Sequence, residues 1–274
     1  MGSWCNEGVS DGFAAAGCKA GTPMQWERML KVVIKALAGR FGYSIAKARK
    51  TEAGGKSAMA ELKRLMKDVA EPVVFDVGGH HGLMANAFRE LLPGSRVYSF
   101  EPFHDSFEVL KAAVADDARV RALPYGLGEE NGPQTFHVNA HAATNSLLPT
   151  DGEGARTWGE GLLNTARTMT VEIRTLDSAM HELGVPRIHL LKLDVQGAEH
   201  LVMAGGRAAC ELGNIEVLYA EIITRPTYQG QKRLDEALKF YYELGFELHN
   251  FYNASLTRDN QLRQVDAIFV KRAR

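Results

Sequence analysis

Cysteines and long apolar runs are both scarce in this sequence of 274 residues. Its three cysteines, Cys5, Cys18 and Cys210, lie far apart and match no zinc-binding spacing. An odd cysteine count in a chain of this length argues against a disulfide framework, so we expect free thiols and a cytoplasmic protein. No run of about 18 apolar residues is present, so the sequence predicts no membrane-spanning helix.

A charge excess of one sign is also lacking, because 32 Lys and Arg residues nearly balance 33 Asp and Glu residues. The formal net charge of -1 gives no general attraction for nucleic acid, and we expect no nucleic-acid partner. The balance is uneven, since residues 1–70 hold 12 basic and 6 acidic residues. This basic region either steers an anionic or membrane-borne acceptor or forms an ordinary solvated helical face.

Three regions are predicted along the chain. Residues 1–23 are rich in glycine and alanine and lack the basic and apolar regions of a signal peptide, so we expect a flexible tail. Residues 24–71 are predicted to form a helical extension, with helical apolar spacing after Met24 and a second helix over 57–69. Pro72 marks the boundary, because the residue before a proline is pushed towards extended backbone.

Short β-rich runs alternate with helical segments in the remaining region, residues 72–274. Strands are predicted at 73–77, 96–100, 119–123, 134–138, 169–173, 188–193, 215–222, 246–250 and 265–271. Helices are predicted at 83–92, 103–115, 176–183, 198–212 and 231–244. This alternation indicates one α/β domain with a mostly parallel, doubly wound sheet and an antiparallel strand at its C-terminal end.

A glycine-rich turn follows the first predicted strand. The segment Asp76-Val77-Gly78-Gly79-His80-His81-Gly82 leads from a buried strand into a helix, and its glycines permit a sharp turn and close approach of a ligand. The free N–H groups of the helix start favour a carboxylate or phosphate. Roughly 20 residues further on, Glu101 ends the second strand, where it can accept hydrogen bonds from the ribose of an adenosine cofactor.

The spacing of the glycines bears on which cofactor is bound. Gly78, Gly79 and Gly82 form G-G-x-x-G, whereas the dinucleotide pattern is G-x-G-x-x-G. Asp76 would repel a phosphate but suits the amino-acid part of S-adenosylmethionine. The residues therefore favour S-adenosylmethionine, and an NAD-dependent oxidoreductase stays open as an alternative.

Five motifs share one pattern with a known family: Phe75-Asp76-Val77-Gly78-Gly79-His80-His81-Gly82, Tyr98-Ser99-Phe100-Glu101-Pro102, Thr144-Asn145-Ser146-Leu147, Arg174-Thr175-Leu176-Asp177 and Leu191-Lys192-Leu193-Asp194-Val195-Gln196-Gly197-Ala198-Glu199. Over residues 72–271 the chain resembles the FkbM family of S-adenosylmethionine-dependent methyltransferases. The resemblance implies a Rossmann-like class I methyltransferase fold and O-methylation of a hydroxyl on a sugar, polyketide or other secondary metabolite. N-methylation of a small molecule or peptide is the nearest alternative.

Two positions depart from the family pattern. His80 stands where the family usually has Asn, and Gln196 stands where it usually has Glu. The second departure removes a carboxylate that would have had a catalytic or ribose-side role. The predicted donor-binding residues are Asp76, Gly78, Gly79, His80, Gly82, Glu101, Pro102, Gly126, Asn145, Ser146 and Asp194.

Carboxylates at strand ends are the candidate catalytic residues. Methyl transfer to a hydroxyl needs the acceptor oxygen held in line with the methyl group and its proton removed. Asp194 follows strand 188–193 and is the preferred candidate, with Lys192 on the same face as an ion-pair partner. Glu221, at the end of the next strand, would assist. The alternatives are that Asp194 caps the following helix and that Glu221 pairs with Arg225.

The nine histidines predict no metal site, because adjacent residues such as His80 and His81 rarely ligate one metal from a turn. His137 or His141, near Asn145, could act as a base, or either could be an ordinary surface or core residue.

Acceptor specificity is expected in three places: the N-terminal helices, the 140–168 loop and the 224–230 turn. The loop is rich in glycine and threonine and is either a lid or disordered. In the first helix, Trp26 and the nearby basic residues either bind the acceptor or only pack on the core. The expected partner is a small-molecule or glycan acceptor, and the sequence indicates no oligomeric state.

Overall fold

The computed structural model describes residues 57–159 and 161–272. The predicted tail at 1–23 and the first predicted helix, with Trp26 and its basic neighbours, lie outside the described residues. Of the predicted helical extension, the structure describes the last helix, α1 (Ala58–Leu65). Ser57 begins this helix, since its side chain accepts a hydrogen bond from the backbone N of Ala60 at 3.2 Å.

The described region contains ten strands, numbered in chain order. They are β1 (Val73–Val77), β2 (Arg96–Phe100), β3 (Val120–Leu123), β4 (Gly126–Gly128), β5 (Gly132–Asn139), β6 (Thr165–Thr175), β7 (Ile188–Leu193), β8 (Ile215–Ile223), β9 (Phe246–Leu256) and β10 (Leu262–Lys271). The helices after α1 are α2 (Leu83–Leu91), α3 (His104–Ala113), α4 (Gly154–Trp158), α5 (Leu176–Glu182), α6 (Glu199–Ala204), α7 (Arg207–Glu211) and α8 (Leu234–Glu243).

Seven of these strands form the main sheet, in the order β3-β2-β1-β7-β8-β10-β9. Strands β3, β2, β1, β7 and β8 run parallel to one another, whereas β10 is antiparallel to both β8 and β9. The predicted fold class, a mostly parallel doubly wound sheet with an antiparallel C-terminal strand, is confirmed. Parallel strands place their carboxyl ends at one edge, and an open sheet of this kind binds its ligands there.

Both faces of the main sheet are buried, which explains why its strands are so apolar. Phe75, Leu191 and Leu218 pack in the core on one face, and Leu190 and Val217 pack on the other. Successive residues of a strand point to opposite faces, so a strand covered by helices on both sides needs a continuous apolar run. All five residues of β1 are buried for this reason.

The predicted single helix over 198–212 is wrong, because the structure contains α6 and α7 separated by Gly205 and Gly206. A Cβ on Gly205 would lie 2.1 Å from the carbonyl oxygen of Gly128. A Cβ on Gly206 would lie 2.5 Å from Leu176. The two glycines let the chain pass against β4 and α5, and this close approach requires the break.

A smaller sheet of three strands, in the order β4-β6-β5, stands beside the main sheet. Strands β5 and β6 pair antiparallel, and the connection between them covers residues 140–164. Residue Thr150 in this connection makes an isolated bridge to Tyr228. None of the helices in the described ranges combines the length and apolar character that crossing a bilayer requires.

Candidate functional site

The glycine turn after β1 lies against the end of β7. Gly78 has a φ of 82°, and a Cβ at this position would lie 1.9 Å from the backbone oxygen of Asp194. The amides of Gly78 and Gly79 both donate to the carbonyl of Phe100, at 3.1 and 2.9 Å. These contacts bring the ends of β1, β2 and β7 together, so only glycine fits at position 78.

Glu101, at the end of β2, holds the turn in place. Its carboxylate accepts hydrogen bonds from the backbone N of His80 at 2.8 Å and of Phe103 at 2.9 Å. Burial raises the pKa of Glu101 to about 7, against the opposing effect of these two hydrogen bonds. A carboxylate has about four acceptor positions, so Glu101 retains capacity for ribose hydroxyls.

His80 combines an unusual backbone conformation with a buried ring nitrogen. Its backbone φ is 46°, in the left-handed region, and its ring stacks on His81 with centroids 3.7 Å apart. Burial, followed by the neighbouring His81, lowers the pKa of His80 to about 4, so the ring is neutral near pH 7. Its Nε2 is buried and has no hydrogen-bond partner within 57–159 and 161–272. A ligand group with matching polarity would satisfy this nitrogen.

A buried ion pair lies under the turn. Lys192 Nζ is 3.0 Å from Asp76 Oδ1, with side chains 4% and 0% exposed. The two residues are register partners on β1 and β7, and Ser99 on β2 completes the row by donating to Asp76 at 2.7 Å. Burial alone would lower the pKa of Lys192, but Asp76 and then Asp194 raise it, so the lysine stays charged. Lys192 also donates to the carbonyl of Gly78 at 2.9 Å.

Asp194 is the accessible carboxylate of this group, with a side chain 39% exposed. Its Oδ2 lies 3.7 Å from Lys192 Nζ, as the predicted ion pair requires. Its Oδ1 accepts a hydrogen bond from Gln196 Nε2 at 2.9 Å. The same nitrogen donates to Glu221 Oε2 at 3.0 Å, so one amide joins the predicted catalytic carboxylates of β7 and β8.

Glu221 is fixed from both sides, because its second oxygen accepts from Gln264 Nε2 at 2.7 Å. Burial raises the pKa of Glu221 well above its ordinary range, and the nearby Asp194 and Glu199 raise it further. Burial likewise raises the pKa of Glu199 to about 7. The carboxyl groups of Glu199 and Glu221 therefore keep their protons at a higher pH than exposed carboxyl groups do.

The two alternatives, that Asp194 caps the following helix and that Glu221 pairs with Arg225, do not match the observed contacts. Among the described residues, no backbone N–H donates to the side chain of Asp194; Glu199 instead accepts hydrogen bonds from the backbone N of Val195 and of Gly197, at 3.0 and 3.3 Å. Glu221 bonds to Gln196 and Gln264 rather than to Arg225. Both carboxylates thus belong to one polar network at the strand ends.

The remaining predicted donor-site residues lie at the rim of this region. Ser146 Oγ donates to the carbonyl of Gln196 at 2.8 Å, and Asn145 is buried beside it, with Oδ1 accepting from the backbone of Asn139 at 2.8 Å. A Cβ on Gly126 would meet Pro102 at 3.2 Å, so these two residues lie side by side near the end of β2. The helix-opening Gly82 has a φ of 81°.

A cavity of about 390 Å³ opens beside the carboxylates, within the usual range for a small-molecule site. Its lining combines charged, polar and apolar groups and consists of Glu153, Thr224, Arg225, Pro226, Tyr228, Gln231 and Arg233. Tyr228 joins the cavity to the network, because its hydroxyl lies 3.1 Å from Gln196 Oε1 and 2.9 Å from the carbonyl of Thr144. The cavity therefore borders both the 140–168 loop and the 224–230 turn, the regions predicted to govern the acceptor.

Sequence reasoning missed the linking residues Gln196, Tyr228 and Gln264. Only Gln196 carried a signal, its departure from the family pattern, and that signal suggested a loss rather than a link. His141 lies close enough to His80 and His81 to lower the pKa of both, so it belongs to the rim of the site. Within the part of the chain that the structure describes, no group of His, Cys, Asp or Glu has the arrangement of a metal site.

The residues present fit an adenosine-containing methyl donor. Glu101 has spare acceptor positions, and the buried Nε2 of His80 lacks a partner in the described ranges. A parallel sheet in this strand order, with an antiparallel strand beside its last parallel one and a glycine turn and an acid at adjacent strand ends, is the Rossmann-like fold of class I methyltransferases.

Comparison with known families agrees with this class. The model of the Methyltransferase FkbM domain matches residues 76–248, which is more than half of the chain. The chain belongs to the FkbM methyltransferase family.

Several curated proteins are similar to this chain. The 2-O-methyltransferase NoeI of Sinorhizobium fredii is 28% identical over 176 residues, covering 59% of this chain and 67% of that protein. The 31-O-demethyl-FK506 methyltransferase FkbM of Streptomyces tacrolimicus is 30% identical over 154 residues, covering 48% and 58%. The methyltransferase sdnD of Sordaria araneosa is 29% identical over 158 residues, covering 50% and 61%. The chain thus spans between 58% and 67% of the length of these relatives.

Proposed function

We propose that the protein is an S-adenosylmethionine-dependent O-methyltransferase whose acceptor is a hydroxyl of a polyhydroxylated small molecule or glycan. The observation that carries the proposal is Asp194, an exposed carboxylate fixed at the end of β7 against the glycine turn. The similarity to a 2-O-methyltransferase and a 31-O-demethyl-FK506 methyltransferase supports oxygen as the acceptor atom. Glu153, Arg225 and Arg233 in the lining of the cavity can form hydrogen bonds with a hydroxylated acceptor.

In this proposal Glu101 binds the ribose hydroxyls, and the turn from Gly78 to Gly82 with the start of α2 contacts the amino-acid part. When bound, S-adenosylmethionine supplies an electrophilic methyl group on a positively charged sulfur. Asp76 is fully buried beneath the turn, so its part is to keep Lys192 charged and in place. Pro102, Gly126, Asn145 and Ser146 shape the rim on which the nucleoside rests.

Asp194 would accept the proton of the acceptor hydroxyl when the methyl group passes from the donor sulfur to the hydroxyl oxygen, which would leave S-adenosylhomocysteine and a protonated Asp194. Lys192 Nζ lies 3.7 Å from Asp194 Oδ2 and helps to hold this carboxylate in place. Burial, followed by Asp194, raises the pKa of Glu221, so Glu221 would assist as a neutral carboxyl group that adds no second negative charge beside Asp194. Proximity and orientation supply the rest of the rate enhancement.

Calorimetric titration with S-adenosylmethionine, S-adenosylhomocysteine and NAD tests the donor. We expect micromolar binding of the two sulfur nucleosides and no response to NAD. Glu101→Ala should weaken binding by about tenfold, because it removes hydrogen bonds to the ribose. Glu130→Ala, at an exposed acid outside the site, is the matched control. NAD binding without sulfur-nucleoside binding would refute the proposal.

Transfer of labelled methyl groups tests the acceptor. Methyl glycosides and the corresponding amino-sugar glycosides are offered side by side, so that oxygen and nitrogen acceptors compete. We expect label in the hydroxylated series, and Asp194→Asn should lower turnover by about 10²–10⁴-fold with donor affinity unchanged. Label in the amino series alone would assign nitrogen as the acceptor atom and overturn the O-methyltransferase proposal.

A further inference from the structure

Gln196 stands at the centre of the polar network although it has no charge. Its side-chain nitrogen donates to Asp194 at 2.9 Å and to Glu221 at 3.0 Å, and its side-chain oxygen lies 3.1 Å from the hydroxyl of Tyr228. Carboxylates only accept hydrogen bonds, so the amide nitrogen faces Asp194 and Glu221. The amide oxygen shares the one hydroxyl hydrogen of Tyr228 with the carbonyl of Thr144, which lies 2.9 Å from that hydroxyl.

The backbone of Gln196 is held in an unfavourable conformation. Its φ is 56°, in the left-handed region that favours glycine, and the following Gly197 has a φ of 91°. Ser146 anchors the carbonyl of Gln196 from the opposite side at 2.8 Å. A non-glycine residue kept in this region by surrounding contacts is a sign of a functional constraint. Here the conformation points the amide between the two carboxylates.

We infer that Gln196 is a positioning residue for the reaction. Its neutral amide uses its two hydrogens to hold Asp194 and Glu221 side by side, and it links Asp194 to Tyr228 at the edge of the acceptor cavity. The inference rests on the proposed function, since it assigns Gln196 the task of orienting the carboxylate that removes the acceptor's proton. The family's usual Glu at this position would instead place a third carboxylate at the same point.

The surrounding charges explain why a neutral donor is needed here. The titratable groups that face Glu221 are Asp194 and Lys192 at the end of β7, Glu199 on α6 and Asp266 on β10. Among these groups, Lys192 is therefore the one lysine beside Glu221 and three further carboxyl groups, and it is already paired with Asp76 at 3.0 Å. A further negative charge at position 196 would lie about 3 Å from two of them, and like charges this close cannot all ionise near neutral pH.

Three variants test the inference: Gln196→Glu, Gln196→Met and, as a matched control, Gln261→Glu in the exposed turn between β9 and β10. Urea titrations from pH 5 to pH 8 need neither donor nor acceptor. An acid whose pKa is raised by folding binds more protons in the folded state, so stability falls as pH rises through this window. We expect the urea midpoint of Gln196→Glu to fall with pH relative to wild type, and that of Gln261→Glu to follow wild type.

The reaction itself gives the readout that a purely structural role would not move. With labelled S-adenosylmethionine and the methyl glycoside that accepts label, Gln196→Glu should move the acid side of the pH–rate profile upward by about one unit or more. Gln196→Met should lower kcat by about tenfold or more, while donor affinity changes by less than about threefold.

The outcomes separate the two claims. Failure of wild-type protein to bind S-adenosylmethionine overturns the proposed function and the role of Gln196 with it. Donor binding and turnover in wild type, with the pH–rate profile of Gln196→Glu unchanged and its urea midpoint parallel to wild type, overturns the inference alone.

Discussion

Replacing Lys192 by Met should destabilise the fold severely. Asp76 is 0% exposed and has Lys192 as its cation at 3.0 Å, and methionine fills similar space without the charge. Removing one partner of a buried ion pair leaves an uncompensated charge, which costs about 3–5 kcal/mol. The carbonyl of Gly78 also loses its donor at 2.9 Å, which adds to that loss. Such a loss is a large part of the total stability of a typical domain.

The test is a thermodynamic cycle in urea at pH 7, followed by circular dichroism. Asp76→Asn should cost less than Lys192→Met, because the lysine keeps its carbonyl partners while Ser99 keeps a hydrogen-bond acceptor. The double variant should be more stable than the sum of the single losses predicts, by about 2 kcal/mol or more. A loss below about 1 kcal/mol for Lys192→Met, or strictly additive losses, would refute this account of the ion pair. If Lys192→Met does not fold, the stability of the double variant still decides the point.

Three further predictions concern other buried groups. Because burial raises the pKa of Glu101 from 4.5 to about 7, wild type should lose stability relative to Glu101→Gln as pH rises between those values; parallel urea midpoints across this window would contradict it. Gly205→Ala should cost about 1–3 kcal/mol, since its Cβ would lie 2.1 Å from the carbonyl of Gly128, and a thermal midpoint equal to wild type would contradict it. Burial raises the pKa of Cys210 to about 12, so this thiol should react with a disulfide reagent at pH 8 only when urea unfolds the protein; fast labelling of the native protein, in a variant with the other two cysteines changed to serine, would contradict that.

The strands of the sheet could be predicted because each is encoded by a short, continuous stretch of sequence. Strands β1, β2 and β7 have the predicted bounds, since each is a short apolar run ended by glycine, proline or a charged residue. The parallel direction of these strands follows from the helices that connect them, whereas the order of the strands is known from the structure alone. The break between α6 and α7 could not be predicted in the same way. Its cause is the contact of Gly205 with Gly128, two residues that are remote in sequence.

In the candidate site, too, only the features that depend on a local sequence pattern could be predicted. Lys192 and Asp194 were predicted to share a face, and period-2 alternation is enough to say so. The hydrogen bonds that join Gln196 to Glu221 and Glu221 to Gln264 depend on the register of β10 with β8 and on a left-handed backbone. Neither is visible in a local pattern. The contacts of Asp76 and Glu101 with the donor stay predictions, although the structure shows how both residues hold the turn.

Trp158 can serve as an intrinsic fluorescence probe. Its indole nitrogen donates to Thr227 at 2.8 Å, and the guanidinium of Arg263 lies 4.3 Å from its ring centroid. These contacts connect α4, which lies between β5 and β6, to the 224–230 turn and to the start of β10. The sequence has three tryptophans, so a variant with Trp4 and Trp26 changed to phenylalanine would emit from Trp158 alone. A change in the emission of Trp158 would then show, in real time and without a label, whether α4 moves when an acceptor binds.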